Sequence, residues 1–578
     1  MYIETVPNRR SRPTILLREG WREGKKTPKR TLSNLTDWPA EKIEALRQLL
    51  AGRRMVPADE AYATEKSRAH GHVEAVLEMV RRLGLETLIA SKRSRQRDLV
   101  VAMIVQQLLD ADSKLGMTRL WRTSTLAQEL GVEDADVDEL YDALDWLRAR
   151  QERIERRLAA RHLEEGGRAL YDVSNSRYEG RTCPLARLGR DKDSDRCRLV
   201  IAYGVMTDAH GCPVAVEVYA GDTGDPATVP DQVDKLRGRF GLERIVLVGD
   251  RGMLTQARIE RLKEFPQLGW ISALRSDAIR KLIVQGAIQP SLFDRQDLAE
   301  IVSPDFPGER LMVCYNPLLA EERRRTRQDL LQATEKEFAP IQRDAARRTH
   351  TPLSAEEIAL RVGRVANRFK MAKHFDLTIA DNRFVWNRKT QAIEAEQALD
   401  GIYVVRTSES AERLEPDNTV RAYKNLTDVE RAFRFLKSPD IRIRPIRHHT
   451  EDHVRAHVLL CLLAYYVEWH MRRVLAPLLF DEENLEEARQ RRDPVKPARP
   501  TPEAQRKKSQ RRTAEGLPIH SWKTLMAHLA NRTRNWCRIA AQRSDQPPFR
   551  FEQLTECDPL QAKVFERIRL FPGYGNPK

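Results

Sequence analysis

The 578-residue chain is expected to be an α/β protein: a mixed sheet with helices, a mostly helical region before it and a helical tail after it. Three observations predict this. First, ALYDV, RLVIAYGVMT and PVAVEVYAG follow one another closely, and each is rich in β-branched and apolar residues. Second, VPDQVDKLRGRF, RIVLVGD, LTQARIERLKEF and GWISAL then alternate helix and strand, which completes a β-β-β-α-β-α-β order. Third, EKIEALRQLL, VEAVLEMVRRLGL and LVVAMIVQQLLD, all upstream, carry apolar residues at i, i+3, i+4 and i+7, the spacing of amphipathic helices.

Along the chain, residues 1–40 read as a basic arm. Nine Lys/Arg face three Glu in the first 30 residues, and Tyr2, Ile3, Val6, Ile15 and Leu17 place a short hairpin there. Residues 41–165 form the helical region, expected to bind DNA together with the arm. Within it LAQELGVEDADVDELYDALDWL has the helix, Gly turn and helix of a helix-turn-helix, although helical hairpins that touch no DNA are far commoner. The sheet unit occupies 166–275 and resumes at 415–480. Residues 276–414 interrupt it with a charge-rich helical stretch, EERRRTRQDLLQATEKEF, and strands in DLTIADNRFVW and GIYVVRT. The most apolar run, VLLCLLAYYV at 458–467, is too short to span a membrane and reads as a core helix. Residues 485–515 are basic and Pro-rich, the composition of a flexible linker. Residues 516–578 close the chain with a short helical unit.

Composition narrows the class. Lys and Arg outnumber Asp and Glu by 100 to 84, a net charge of +16, which favours a polyanionic partner over an acidic one. The seven cysteines are scattered without a C-x-x-C pair, which argues against a disulfide framework and a zinc knuckle and suits a reducing cytosol. The N-terminal segment MYIETVPNRRSRPT has no apolar stretch of the kind a signal peptide needs.

Three carboxylates draw attention. Asp172 interrupts the apolar first strand of LYDVSNSRYEG. Asp250 lies just past the carboxyl end of IVLV, where ligands gather in α/β sheets, although Asp beside Gly249 also suits a plain turn. Glu430 lies in YKNLTDVERAFRFLKSPDIRIRP. Thr427 and Glu430 fit a capping box, which would make Glu430 a helix-start residue. Down the same helix Val429, Phe433 and Leu436 form an apolar stripe, and Glu430, Arg434 and Lys437 share a face beside it. From Arg421 to Arg447 eight basic residues meet three acidic ones. A carboxylate among so many cations suits a phosphate-binding surface with a metal ligand. Three such acids are what two-metal phosphoryl chemistry requires.

These residues carry a resemblance. The chain resembles the DDE transposases of bacterial insertion sequences, which have a ribonuclease H-like catalytic fold, and within them the subgroup with a β-rich insertion between the second and third acids. Asp172 on the first strand, the V-G-D-R-G block at 248–252 and the signature Y-x2-R-x3-E-x6-K, here Tyr423, Leu426, Glu430 and Lys437, carry the match. Asp172 and Asp250 are 78 positions apart and Asp250 and Glu430 are 180 apart, which leaves room for the insertion. The resemblance implies that Asp172, Asp250 and Glu430 hold two Mg²⁺ ions, replaceable by Mn²⁺, for strand cleavage and 3′-hydroxyl strand transfer. It implies double-stranded DNA partners, both inverted-repeat ends and target, a homodimer pairing two ends, and no membrane. Tyr423 and Lys437 would contact phosphate, with Arg434, Lys424 and Arg251 as further candidates; Arg251 also suits a simple ion pair. Trp386 would stack on a displaced base, unless it is a packed strand residue. The departure is Leu426 at the signature arginine, for which Lys424 or Arg421 would have to substitute.

Two other classes remain open at this level: a DNA-binding regulator that kept the fold and lost catalysis, and a ribonuclease H-like nuclease without strand transfer. His453 and His457, at i and i+4 near His448 and His449, have a metal-compatible spacing but no Cys pair, so helix packing or phosphate contact is the expectation. Asp222 and Asp225 read as a turn.

Overall fold

The computed structural model describes residues 1–9, 11–53, 62–194, 196–265, 267–294, 296–348, 351–438, 441–539 and 549–574. Its centre is one large mixed sheet. The first core strands are β1 (Arg168–Arg177), β2 (Cys197–Asp208) and β3 (Pro213–Ala220), an antiparallel meander. Next come β4 (Ile245–Val248) and β5 (Leu268–Ala273). The spatial order is β3-β2-β1-β4-β5, with β4 parallel to β1 and β5 parallel to β4. A three-strand meander whose first strand also pairs with a parallel β-α-β unit is the ribonuclease H-like arrangement. All four residues of β4 are buried, as a central parallel strand requires, and hence it is written as an unbroken apolar run.

The insertion does not stand apart from this sheet. β6 (Leu298–Ile301), β7 (Arg310–Tyr315) and β8 (Ile402–Thr407) extend it antiparallel beyond β5, in the order β5-β8-β7-β6. Between β7 and β8 the chain leaves the sheet. A 31-residue helix, Pro317–Arg347, packs with helix Ala355–Phe369 and the hairpin Phe375–Ala380/Arg383–Arg388 around Phe338.

Three helices complete the sheet unit: α1 (Pro416–Lys424), α2 (Leu426–Lys437) and α3 (Glu451–Val474). α2 lays Val429, Ala432, Phe433 and Leu436 on the sheet, with the Phe433 ring 5.8 Å from Tyr203 in an edge-on contact. Burying the Phe433 and Leu436 side chains contributes about 1.5–3 kcal/mol each. α3 contains the apolar run and is buried nearly all round, so it is a core helix. Among the described residues no helix is long and apolar enough to cross a membrane.

Several expectations need correction. The N-terminal arm is a three-stranded antiparallel sheet, Tyr2–Val6, Thr14–Gly20 and Lys29–Asn34, rather than a hairpin. The proposed helix-turn-helix has its turn, Gly131 at φ +70°, but its second helix, Val137–Arg148, packs on α3 and on helix Arg95–Leu109. The exposed face that this leaves carries Asp138, Asp142 and Asp145, acids that a DNA groove would repel. Residues 485–515 are not a loose linker. Lys507 is buried, with Nζ donating to the carbonyls of Ala476 and Asp481 and pairing with Glu483 at 2.7 Å, and Arg489 reaches Asp428 at 2.6 Å. The C-terminal segment is not purely helical: Thr533–Ile539 pairs with Phe549–Leu554 and with Tyr62–Ala69, so it completes a sheet with the N-terminal region. Backbone pairing over that sequence distance has no local signal.

Candidate active site

The site begins with strand register. Ala169 pairs with Leu247 and Leu170 with Val248, and two residues further along the parallel strands come Asp172 and Asp250. Asp172 Oδ1 accepts the Val173 N–H at 2.8 Å. Asp250 Oδ1 accepts the N–H groups of Gly252 at 2.9 Å and Met253 at 2.8 Å, so Asp250 is both a turn residue and one of a pair of neighbouring acids. The Asp172 carboxyl is pushed up to about 7, foremost by burial and further by the charge of Asp250, against the opposing Val173 hydrogen bond.

Glu430 enters from α2. The capping-box reading is corrected by the junction between α1 and α2. Asn425 has helical torsions, φ −66° and ψ −10°, and Thr427 Oγ1 donates to the Lys424 carbonyl at 2.9 Å instead of capping a helix start. Glu430 therefore sits within the helix, on its exposed face, with Arg434 a turn further on. Tyr423, at the end of α1, senses the whole constellation. Its phenol is pushed up to about 12, mostly by burial, then by the charges of Asp250, Glu430 and Asp172, with Arg251 acting in the opposite sense. One side chain thus lies within electrostatic range of all three acids and Arg251.

Among the described residues, Asp172, Asp250 and Glu430 form no salt bridge with a lysine or arginine, although cations crowd the surrounding chain. Hard oxygen donors left without a salt-bridge partner, one of them with its acidity suppressed by burial and by its neighbour, suit a divalent cation.

Lys437 is anchored beside the acids. Its Nζ is 2.8 Å from Ser174 Oγ, on the same face of β1 as Asp172, and 3.0 Å from Asp193 Oδ1. Arg444 pairs with the other Asp193 oxygen. Arg251 is exposed. Three candidates are directed elsewhere. Lys424 Nζ donates to the Val495 carbonyl at 2.8 Å, and Arg421 Nε to the Arg492 carbonyl at 3.2 Å, so neither stands in for the signature arginine. Trp386 packs edge-on against Phe375 at 5.9 Å and near Phe338, with its indole N–H buried, so it is a core residue of the insertion and not a free stacking platform. Leu426 is 8% exposed and belongs to the main core.

Comparison with known families gives two matches. The model described as "Transposase DDE domain" matches residues 190–467, and that described as "IS1634 family transposase, N-terminal domain" matches residues 3–60. The chain belongs to the DDE transposases of insertion sequences. No curated protein matches it. Among solved structures, the cryo-EM structure of the piggyBac transposase synaptic complex with hairpin DNA is similar at 10% identity and a TM-score of 0.33, covering 87% of this chain and 84% of that one.

As a DDE transposase the protein is a metal-dependent, DNA-cleaving enzyme that binds DNA. Some polar residues around the transposase site escaped the sequence reading. Lys192 donates to the Val173 carbonyl at 2.8 Å and pairs with Asp225 at 3.0 Å, and the charges of both act on Asp172. Asp225 had been read as a turn residue. Asp193 holds Lys437 and Arg444. The alternating charges of the DKD run at 191–193 were the only local trace of these roles. Among the described residues His453 and His457 do not gather a metal: His457 Nε2 donates to the Ile443 carbonyl at 3.3 Å, and His453 faces Asp145 at 3.2 Å.

Proposed function

We propose that this transposase cuts the ends of an insertion sequence and joins the freed 3′ ends to target DNA, using Asp172, Asp250 and Glu430 as ligands for two Mg²⁺ or Mn²⁺ ions. The observation that carries this reading is the convergence around Tyr423 of three carboxylates, none of them in a salt bridge among the described residues. Divalent cations held there would activate water or a 3′-hydroxyl and stabilise the departing oxygen of the phosphodiester.

The chain's own residues supply binding and orientation. Asp250 is fixed by two backbone N–H groups and Asp172 by one, so both carboxylates are preorganised on the rigid sheet. Glu430 comes from a helix clamped to that sheet by Phe433 and Leu436. Lys437, Arg434 and Arg251 offer positive charge to the phosphates flanking the cut, and the Tyr423 phenol, un-ionised at neutral pH, offers a hydrogen bond. Two ends must be paired, so the active form is a homodimer acting in the cytoplasm.

The test is cleavage and joining of labelled DNA that carries the gene's flanking inverted repeats, with Mg²⁺ or Mn²⁺, beside Asp250→Ala. Cleavage and strand joining by the wild type alone support the proposal. Nicking without joining would leave a nuclease, and binding without chemistry in either protein would leave a silent regulator.

A further inference from the structure

A second cleft, of about 850 Å³, opens between the helical region and the segment that follows α2. Lys437 lies on its wall, so it adjoins the site described above. Its other cations include Lys114, Arg177, Arg442, Arg444 and Arg447, and among the described residues the single carboxylate on its wall is that of the exposed Asp112. Arg177 and Arg447 are paired with Glu179, and Lys437 and Arg444 with Asp193. Two are not neutralised among the described residues. Among the described residues the Arg442 guanidinium donates to the Ala111 carbonyl, at 2.8 Å, and pairs with no carboxylate. Lys114 is 4% exposed, and its ammonium contacts the Met117 sulfur at 3.9 Å, with no carboxylate paired to it among the described residues.

A buried ammonium without a counter-ion is costly in a free protein. Burial indeed pulls the Lys114 pKa down to about 8, with no carboxylate opposing it. The neighbours give no internal anion: His448 and His457 are held neutral by burial, and Cys461 is held as a thiol. Solvated chains rarely keep such a charge inside unless a ligand meets it. A wall with this surplus, open to solvent and continuous with a catalytic lysine, suits a phosphodiester.

We propose that this cleft, floored by Lys114 and rimmed by Arg442, binds a backbone phosphate of the DNA strand held in the active site. The proposal rests on the transposase reading of Asp172, Asp250 and Glu430. Lys437 lies seven residues beyond Glu430 on α2, about 10 Å along the helix. At about 3.4 Å of rise per nucleotide of one strand, the cleft meets a phosphate roughly three nucleotides from the cut. The helical region therefore acts on DNA through the end of a short helix at Lys114, and not through a helix in the major groove.

The experiment measures binding of a duplex carrying the flanking repeat by wild type, Lys114→Met and Arg442→Met, in EDTA, at about 50 to 200 mM salt. Each variant is expected to make the fall of log affinity with log salt shallower by about 0.9. Methylphosphonates, which are neutral, are then placed singly at the phosphates flanking the cut. Neutralising the phosphate in the cleft should weaken wild-type binding about tenfold and leave the already weakened Lys114→Met unchanged. Inorganic phosphate should raise the Tm of wild type more than that of Lys114→Met, and the same melts verify that the variant folds. Unchanged salt slopes, methylphosphonate losses that add to Lys114→Met at every position, or equal phosphate effects on the two proteins would each overturn the proposal. Because no cleavage is read, a failure of the three-carboxylate assignment leaves these outcomes intact and is seen separately with Asp250→Ala.

Discussion

Asp172 and Asp250 stand at the same level of two adjacent parallel strands, two residues beyond the Leu170–Val248 pair. Burial and then the charge of Asp250 raise the cost of ionising Asp172, and neither acid forms a salt bridge among the described residues. In metal-free buffer that repulsion opposes folding. Asp250→Asn is therefore expected to match or exceed the wild-type Tm in EDTA, by up to about 1 kcal/mol of stability. It should also lose the stabilisation that Mg²⁺ or Mn²⁺ gives the wild type. Differential scanning calorimetry with and without metal reads both effects. A metal-induced rise in Tm that survives the substitution would remove Asp250 from the ligand set.

Tyr423 is expected to act through its hydroxyl rather than its ring. Its phenol lies in the field of all three acids, so Tyr423→Phe keeps the packing and removes one hydrogen-bond donor. The substitution should slow cleavage about tenfold, the worth of one hydrogen bond to a charged group, with metal-induced stabilisation unchanged. Single-turnover cleavage beside melting curves separates the two. A variant that cleaves at the wild-type rate would place the phenol outside the reaction.

Asp193 is a positioning residue for Lys437. It holds both the Lys437 ammonium and the Arg444 guanidinium. Asp193→Asn should lower cleavage about 10- to 100-fold, as loss of an orienting partner does. The retained Ser174 contact should keep Lys437 near β1, so the drop should be smaller than that of Lys437→Met. If the two variants cleave alike, Asp193 contributes everything Lys437 does.

Lys114 gives a stability profile with a defined sign. Its pKa in the folded chain is about 8, below the 10.5 of an ordinary lysine, so between these values the unfolded chain binds more protons and stability rises with pH. The groups facing it are His448 and His457, neutral throughout this range, the Cys461 thiol pushed up to about 12, and Asp112 at the rim. In the absence of DNA, Lys114→Met should be more stable than wild type at pH 7, and the difference should shrink between about pH 8 and 10.5. A constant difference across that range would mean that Lys114 is not charged and buried in the free protein.

The legible parts of this chain were those written in local patterns. The β-β-β-α-β-α-β order follows from periodicity, and Asp172, Asp250 and Glu430 stood out because each breaks or borders an apolar run. What stayed hidden depends on pairing across long stretches of chain. Nothing near Thr533 says that it will pair with Ala69, and nothing near β6 says that the insertion continues the catalytic sheet. Lys424 looked available because it lies two residues from Leu426 at the signature arginine position, but a carbonyl 71 residues away takes its ammonium. Trp386 was a stacking candidate only by resemblance, with strand packing as the alternative, and the packed Phe338 and Phe375 rings favour the packing. Replacing Trp386 with alanine should accordingly cost about 3 kcal/mol of stability without changing DNA affinity per folded molecule.

Leu426 decides whether the signature departure is damage or design. At the arginine position of the signature this chain buries a leucine at the start of α2, against the main core, beside Val429 and above the sheet. If the chain were a decayed enzyme, Leu426→Arg would restore a phosphate contact and raise cleavage. The packing predicts the opposite. A guanidinium has no carboxylate partner assigned in that position and would have to leave the core, opening a cavity and displacing α2, at a cost of about 3 kcal/mol or more. Since α2 carries both Glu430 and Lys437, cleavage should fall together with Tm, and Leu426→Met, which conserves volume, should preserve both. Faster cleavage by Leu426→Arg at an unchanged Tm would show that the arginine has a place to go and that its loss had weakened the enzyme.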